Sequence, residues 1–144
     1  MRLPALLCLA TLVFATVPAL AADPPTDEEA AARVPLESYM RGHATGDGAH
    51  IRAAFLPTAR IDGVREGKPV SRTLEEFASG FSGKPAADEA QRSRRIDAIA
   101  LDGNAGMARV TLDYPKVTFT DYFVLLKVGD EWKIASKVYH AAPK

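Results

Sequence analysis

Residues 117–140 read VTFTDYFVLLKVGDEWKIASKVYH. On both sides of Gly129-Asp130, large apolar residues return at every second position, which is the period of a strand, and the Gly-Asp pair between them is a hairpin turn. Two long antiparallel strands therefore cover 117–128 and 131–140. In the first, Phe119, Asp121, Phe123 and Leu125 share one face, and Tyr122, Val124 and Leu126 share the other. In the second, strict alternation puts Lys133 and Lys137 together on one face. Trp132, Ile134, Ser136, Val138 and His140 then lie on the other, toward the interior. Working backward, 105–114 and 95–101 have the same period, and Pro115 and Asp102-Gly103-Asn104 break the chain between them.

Upstream the period becomes helical. Asp27-Glu28-Glu29 places negative charge where a first helical turn exposes its amides, and Val34, Leu36, Tyr39, Met40 and His43 recur near helical spacing. Pro35 kinks this helix or starts its second half, and Gly46-Asp47-Gly48 stops it. Asp47 is placed to cap a short second helix carrying Ile51, Ala54 and Phe55, which Pro57 closes. Residues 59–70 suggest a hairpin with Gly63 and Gly67 near its bend. Ser71 or Thr73 caps a third helix with Leu74, Phe77 and Phe81 on one side, and Gly83 to Ser93 is a polar loop. Helices first and a long meander last make an α+β fold in which N-terminal helices cover the concave face of a curved antiparallel sheet. Both faces of 117–128 are apolar while the helices can cover only one. This predicts a second copy against the other face, a homodimer.

Composition narrows the function. The 144 residues carry 18 Lys+Arg against 18 Asp+Glu, are 47% hydrophobic and include one cysteine. That balance fits one domain and lacks the basic footprint of sequence-independent nucleic-acid binding, so no nucleic-acid partner is expected. Met1-Arg2, the apolar run Leu3 to Val17 and Ala19-Leu20-Ala21 have the three parts of a signal peptide. The reading is a signal peptide over 1–21, a flexible lead-in and helix start over 22–32, and a single domain over 33–144. Cleavage near Ala21 would leave a periplasmic or secreted protein with no stable membrane anchor. It would also remove Cys8, so thiol chemistry is not expected.

Among polar residues, Asp121 is the most informative. Between Phe119 and Phe123 on a buried face, its carboxylate must be paired or carry a raised pKa, either locking the first helix onto the sheet or meeting a ligand. Tyr39 on that helix is a core residue with a satisfied hydroxyl or a donor to the same ligand. His43, His50 and His140 have no metal-ligand spacing, so neither a metal nor a cofactor is expected; His43 and His140 are expected to face solvent, with a place at the pocket mouth as the alternative. Arg92, Arg94 and Arg95 read as a solvated entry to the first long strand.

The stretch Tyr39 to Asp47, YMRGHATGD, and the ending from Phe119 to Tyr139 resemble the nuclear transport factor 2-like (NTF2-like, cystatin-like) superfamily of cone-shaped domains. The Phe-x-Asp-Tyr and Trp-Lys-Ile-x-x-Lys patterns are similar to those of the putative lumazine-binding family. The resemblance implies a concave pocket for a small, largely apolar molecule. Tyr39 and Asp121 would be its polar contacts, and Phe55, Phe77, Phe119, Phe123 and Trp132 its apolar lining. The ketosteroid isomerase and SnoaL-like branch implies an alternative, an isomerase, dehydratase or cyclase. There Tyr39 and Asp121 would donate to a developing oxyanion and Asp62 would move the proton. Asp62 falls one position before the slot for that base, which Gly63 occupies, so a local bulge would be needed to aim it inward. A third reading is a non-catalytic dimeric interaction module whose pocket is filled by its own side chains.

Overall fold

The computed structural model describes residues 26–144. The signal-peptide assignment and the lead-in through residue 25 lie outside the described residues. Three helices come first or between early strands: α1 (Asp27–Thr45), α2 (Gly48–Ala54) and α3 (Leu74–Ala78). Six strands make one sheet: β1 (Phe55–Arg65), β2 (Lys68–Thr73), β3 (Ser93–Asp102), β4 (Ala105–Tyr114), β5 (Val117–Val128) and β6 (Glu131–Pro143). The strand order is β2-β1-β6-β5-β4-β3, antiparallel except where β1 runs parallel to β6. The expected α+β architecture is therefore present, with α1 and α2 packed over a mostly antiparallel sheet.

Local chemistry fixes the helix ends. Thr26 Oγ1 accepts from the Glu29 amide at 3.2 Å, and the three acids expected in the first turn follow it. Pro35 neither ends nor divides α1, which runs on to a left-handed Gly46 at φ 70°. A side chain at Gly46 would meet the Lys84 carbonyl, so glycine is required there by space as well as by conformation. Asp47 Oδ1 accepts from the Ala49 amide at 2.8 Å, and Thr73, rather than Ser71, caps α3 through a reciprocal bond with Glu76. Two boundaries differ from the sequence reading. Phe55 and Pro57 belong to the start of β1, and Gly63 lies within that strand while Glu66-Gly67 makes the turn.

The decisive departure is in β6. Leu125 pairs with Ile134, but Val124 pairs with Ser136, which leaves Ala135 as an extra residue. Such a bulge reverses side-chain parity beyond it. Trp132 and Ile134 are buried as alternation predicts, whereas Val138 and His140 are exposed and Lys137 is only 4% exposed. Lys133 and Lys137 therefore do not share a face, and it is Lys137, Tyr139 and Ala141 that turn toward the concave side. The core below them is formed by Leu36, Tyr39, Ile51, Phe123, Leu125 and Ile134.

Candidate functional site

Lys137, Asp121 and Tyr39 meet at the base of the concave face. Tyr39, one-third of the way from the end of α1, donates its hydroxyl proton to Asp121 Oδ2 at 2.6 Å. Lys137 Nζ donates to Tyr39 Oη at 2.5 Å and sits 2.9 Å from Asp121 Oδ1. Both Tyr39 and Asp121 are fully buried. The carboxylate is thus paired, as an acid between two phenylalanines must be, and a lysine on the neighbouring strand is its cation. Burial pushes the Lys137 ammonium below the usual lysine range, although Asp121 opposes that shift. Burial first, and then the Asp121 carboxylate, hold the Tyr39 phenol well above its ordinary range, so it stays protonated and donates. The rings of Tyr39, Phe77 and Tyr139 surround the ammonium, with centroids 4.8, 5.3 and 5.3 Å from Nζ.

Lys137 also lines a cavity of about 370 Å³. Its walls are mostly apolar, with Ile61, Phe77, Leu112, Phe119 and Tyr139 among them, and Arg65 and Arg72 lie on the β1–β2 side. His43 contributes from α1. The imidazole packs edge-on against Tyr39 and Phe81, with centroid separations of 4.7 and 5.0 Å, and its Nδ1 lies 3.2 Å from the Tyr114 hydroxyl. Burial, followed by the positive charges of Lys137, Arg94 and Arg92, depresses its pKa well below the ordinary histidine value, so the ring is neutral at pH 7. His43 Nε2 is buried and has no hydrogen-bond partner among the described residues.

The sequence pattern of the family described as "Putative lumazine-binding" matches residues 27–140. The chain belongs to this family. A nuclear transport factor 2-like protein of unknown function from Shewanella baltica is 29% identical, with a TM-score of 0.74 covering 84% of this chain and 100% of that one. Another from Methylobacillus flagellatus is 28% identical, with a TM-score of 0.72 covering 83% and 95% of the two chains. The chain is also similar to the aldolase FrzH of a Cladobotryum species, 20% identical over 108 residues, or 74% of this chain and 85% of that protein.

In this member of the family, the structure sorts the residues singled out by sequence into different places. Phe77 and Phe119 line the cavity. Phe55 and Phe123 are core residues stacked edge-on to Tyr39, at 5.9 and 5.1 Å. Trp132 is on another side of the domain, where its indole N–H donates to Glu28 at 3.1 Å beside a separate surface depression. Tyr39 and Asp121 sit behind Lys137 and are not themselves part of the cavity wall. Asp62 pairs with Val138 and Gly63 with Tyr139, in a register that is unbroken from Arg60 to Gly63. Ile61 and Gly63 therefore face inward and Asp62 faces the opposite side of the sheet, because the bulge that would rescue it is absent from this stretch. A Cβ at Gly63 would lie 2.4 Å from the Tyr139 ring, so an aromatic ring covers the position expected for the base.

Two further expectations are corrected. His43 faces the interior rather than solvent, because α1 turns it onto Phe77 and Phe81. Arg94 is only 9% exposed: its guanidinium makes two bonds to Glu89, at 2.6 and 2.8 Å, and with Arg92 it lies over the Tyr114 ring. Among the described residues, no group of three or more His, Cys, Asp or Glu is arranged to hold a metal ion. Lys137, Arg65 and Arg72 are the site residues that sequence reasoning missed, and His43 takes the place at the pocket that was its less favoured alternative. The available signal was the Ile134-x-x-Lys137 spacing: a core residue and a charged partner for Asp121 separated by an odd number of positions imply a bulge.

Proposed function

We propose that this protein binds a small, largely apolar molecule in the concave cavity, with Lys137 as the polar group that the ligand meets. One observation carries the reading: apolar walls enclosing about 370 Å³ converge on a single buried polar cluster. Tyr39 and Asp121 act through Lys137. Their hydrogen bonds and charge fix its ammonium against the cavity, in place of the direct ligand contact expected of them. The proposal extends to an exported protein working in the periplasm or outside the cell. It also extends to a homodimer formed through the outer sheet face, where Met107, Tyr122, Val124 and Val138 are between 44% and 56% exposed.

Turnover is the second reading, favoured by the presence of a buried lysine on the cavity wall and by the likeness to an aldolase. In that case the ammonium of Lys137 would stabilise a developing oxyanion, since Tyr39 already donates to Asp121. Native mass spectrometry of the protein purified from its own cellular compartment tests these proposals together. A dimer carrying a discrete extra mass supports the binding reading. A clean apo mass that takes up nothing from a metabolite extract favours the interaction module, and a monomer removes the dimer.

A further inference from the structure

The polar lining of the cavity is one-sided. His43, Arg65, Arg72 and Lys137 contribute to the wall, and the wall contains no Asp or Glu. Lys137 has three N–H groups, of which Tyr39 accepts one and Asp121 faces another. The remaining N–H has no acceptor among the described residues. His43 can be assigned in the same way. Burial raises the Tyr114 phenol above its ordinary range, although the Arg94 guanidinium opposes that shift, so the hydroxyl keeps its proton. With the imidazole neutral, the Tyr114 O–H is assigned as the donor to His43 Nδ1, 3.2 Å away. That tautomer puts the ring proton on Nε2, the buried atom with no partner. A buried donor without an acceptor is costly, and here it belongs to a side chain that lines an empty space. Arg65 and Arg72 form no ion pair among the described residues, although Glu76 is close enough to Arg72 to feel its charge.

Apart from the Tyr139 hydroxyl, which can donate or accept, the polar side chains of this mostly apolar wall are donors, and they call for a ligand that is apolar over most of its surface and ends in an acceptor. Asp121 already neutralises Lys137, so the charge of Arg65 and Arg72, held in no ion pair among the described residues, selects an anionic acceptor over a neutral one. From this arrangement we infer that the cavity takes a small apolar carboxylate, its carboxyl oxygens accepting from Lys137 Nζ and His43 Nε2. This rests on the binding function proposed above and names the ligand's chemical class.

The test is calorimetric titration of the full folded protein at pH 7 with benzoate, cinnamate, octanoate and dodecanoate, each beside the alcohol with the same carbon skeleton. At least one carboxylate should bind ten-fold or more tightly than its alcohol. His43→Phe, which keeps the ring packing and removes the nitrogen, should reduce that ratio several-fold, and the surface change Arg72→Met should reduce it in the same direction. Alcohols that bind as well as their carboxylates would overturn the carboxylate inference and leave the apolar binding site intact. If neither series binds, the cavity reading fails as well. A carboxylate preference unchanged in both variants would place the anion elsewhere and overturn the assignment of these donors.

Discussion

The two halves of β6 follow the same alternation rule and do opposite things. From Glu131 to Ile134 the strand buries an indole and an isoleucine in the hydrophobic core. From Ser136 onward it buries a lysine against an aspartate, lays a tyrosine ring over Gly63 and lines the cavity. Ala135 separates them, and it is the extra residue between two registers of pairing with β5. The difference teaches that a strand's hydrophobic pattern determines its faces only until the first bulge. Beyond that, the requirement of Asp121 for a cation decides which face is inward.

Deleting Ala135 tests this comparison most severely. Continuous pairing would carry Lys137 and Tyr139 to the outer face and bring Val138 and His140 inward, leaving Asp121 buried without its cation. The variant is expected to lose cooperative unfolding altogether, as followed by circular dichroism in urea; a stable variant would mean that the bulge can relocate. Lys137→Met is next. It keeps the stem volume and removes the charge facing Asp121, so it should cost about 3–5 kcal/mol in chemical denaturation at pH 7. A loss under about 1 kcal/mol would show that Tyr39 alone satisfies the carboxylate.

Gly63→Ala probes the other contact made by the second half of β6. Its new methyl group would displace the Tyr139 ring, at a cost of about 1–3 kcal/mol. Unchanged stability would mean that the ring swings freely into the cavity. His43 gives a smaller and pH-dependent effect. Its native pKa is depressed by burial among Lys137, Arg92 and Arg94, while the unfolded chain protonates near pH 6.5. Below that value the unfolded state binds more protons, so stability should fall as pH decreases from about 6.5 toward the depressed native pKa, by at most about 1.4 kcal/mol per pH unit from this residue. Stability curves of His43→Phe should be flatter over that window, and parallel curves would refute the buried-neutral assignment. Smallest of all, Val138→Thr on the outer face should change monomer stability by no more than about 0.5 kcal/mol. Sedimentation would reveal whether the same change weakens a dimer.

Much of the fold was legible because its signals are local. Two-residue periodicity, with glycine at the turns, marked β4 and β5 within a residue of their observed ends. Asp47 before Ala49 announced its cap by chemistry alone, whereas Ser71 and Thr73 stood as alternatives until the reciprocal bond of Thr73 with Glu76 decided between them. The site was legible only in part. Asp121 and Tyr39 were recognisable as polar residues at buried positions, and they do meet. Lys137 was assigned to the wrong face because Ala135 is as acceptable in a regular strand as in an irregular one, so the bulge shows only in the spacing from Ile134 to Lys137 once Lys137 is known to be the partner of Asp121. The aromatic candidates divided between core and cavity for a similar reason. Periodicity says that Phe55 and Phe123 face inward, but whether an inward face meets a neighbour or empty space depends on the curvature of the sheet.

The sequence by itself determined the order of elements, the Asp47 cap, the hairpins of the long C-terminal strands and the need for a buried acid to find a partner, since each depends on residues a few positions apart. The tertiary structure alone decided that the partner is Lys137 and that Asp62 faces away. It also decided that His43 and Lys137 share one cavity, because these depend on how far strands slide and bend past one another, and a single added residue reverses the outcome.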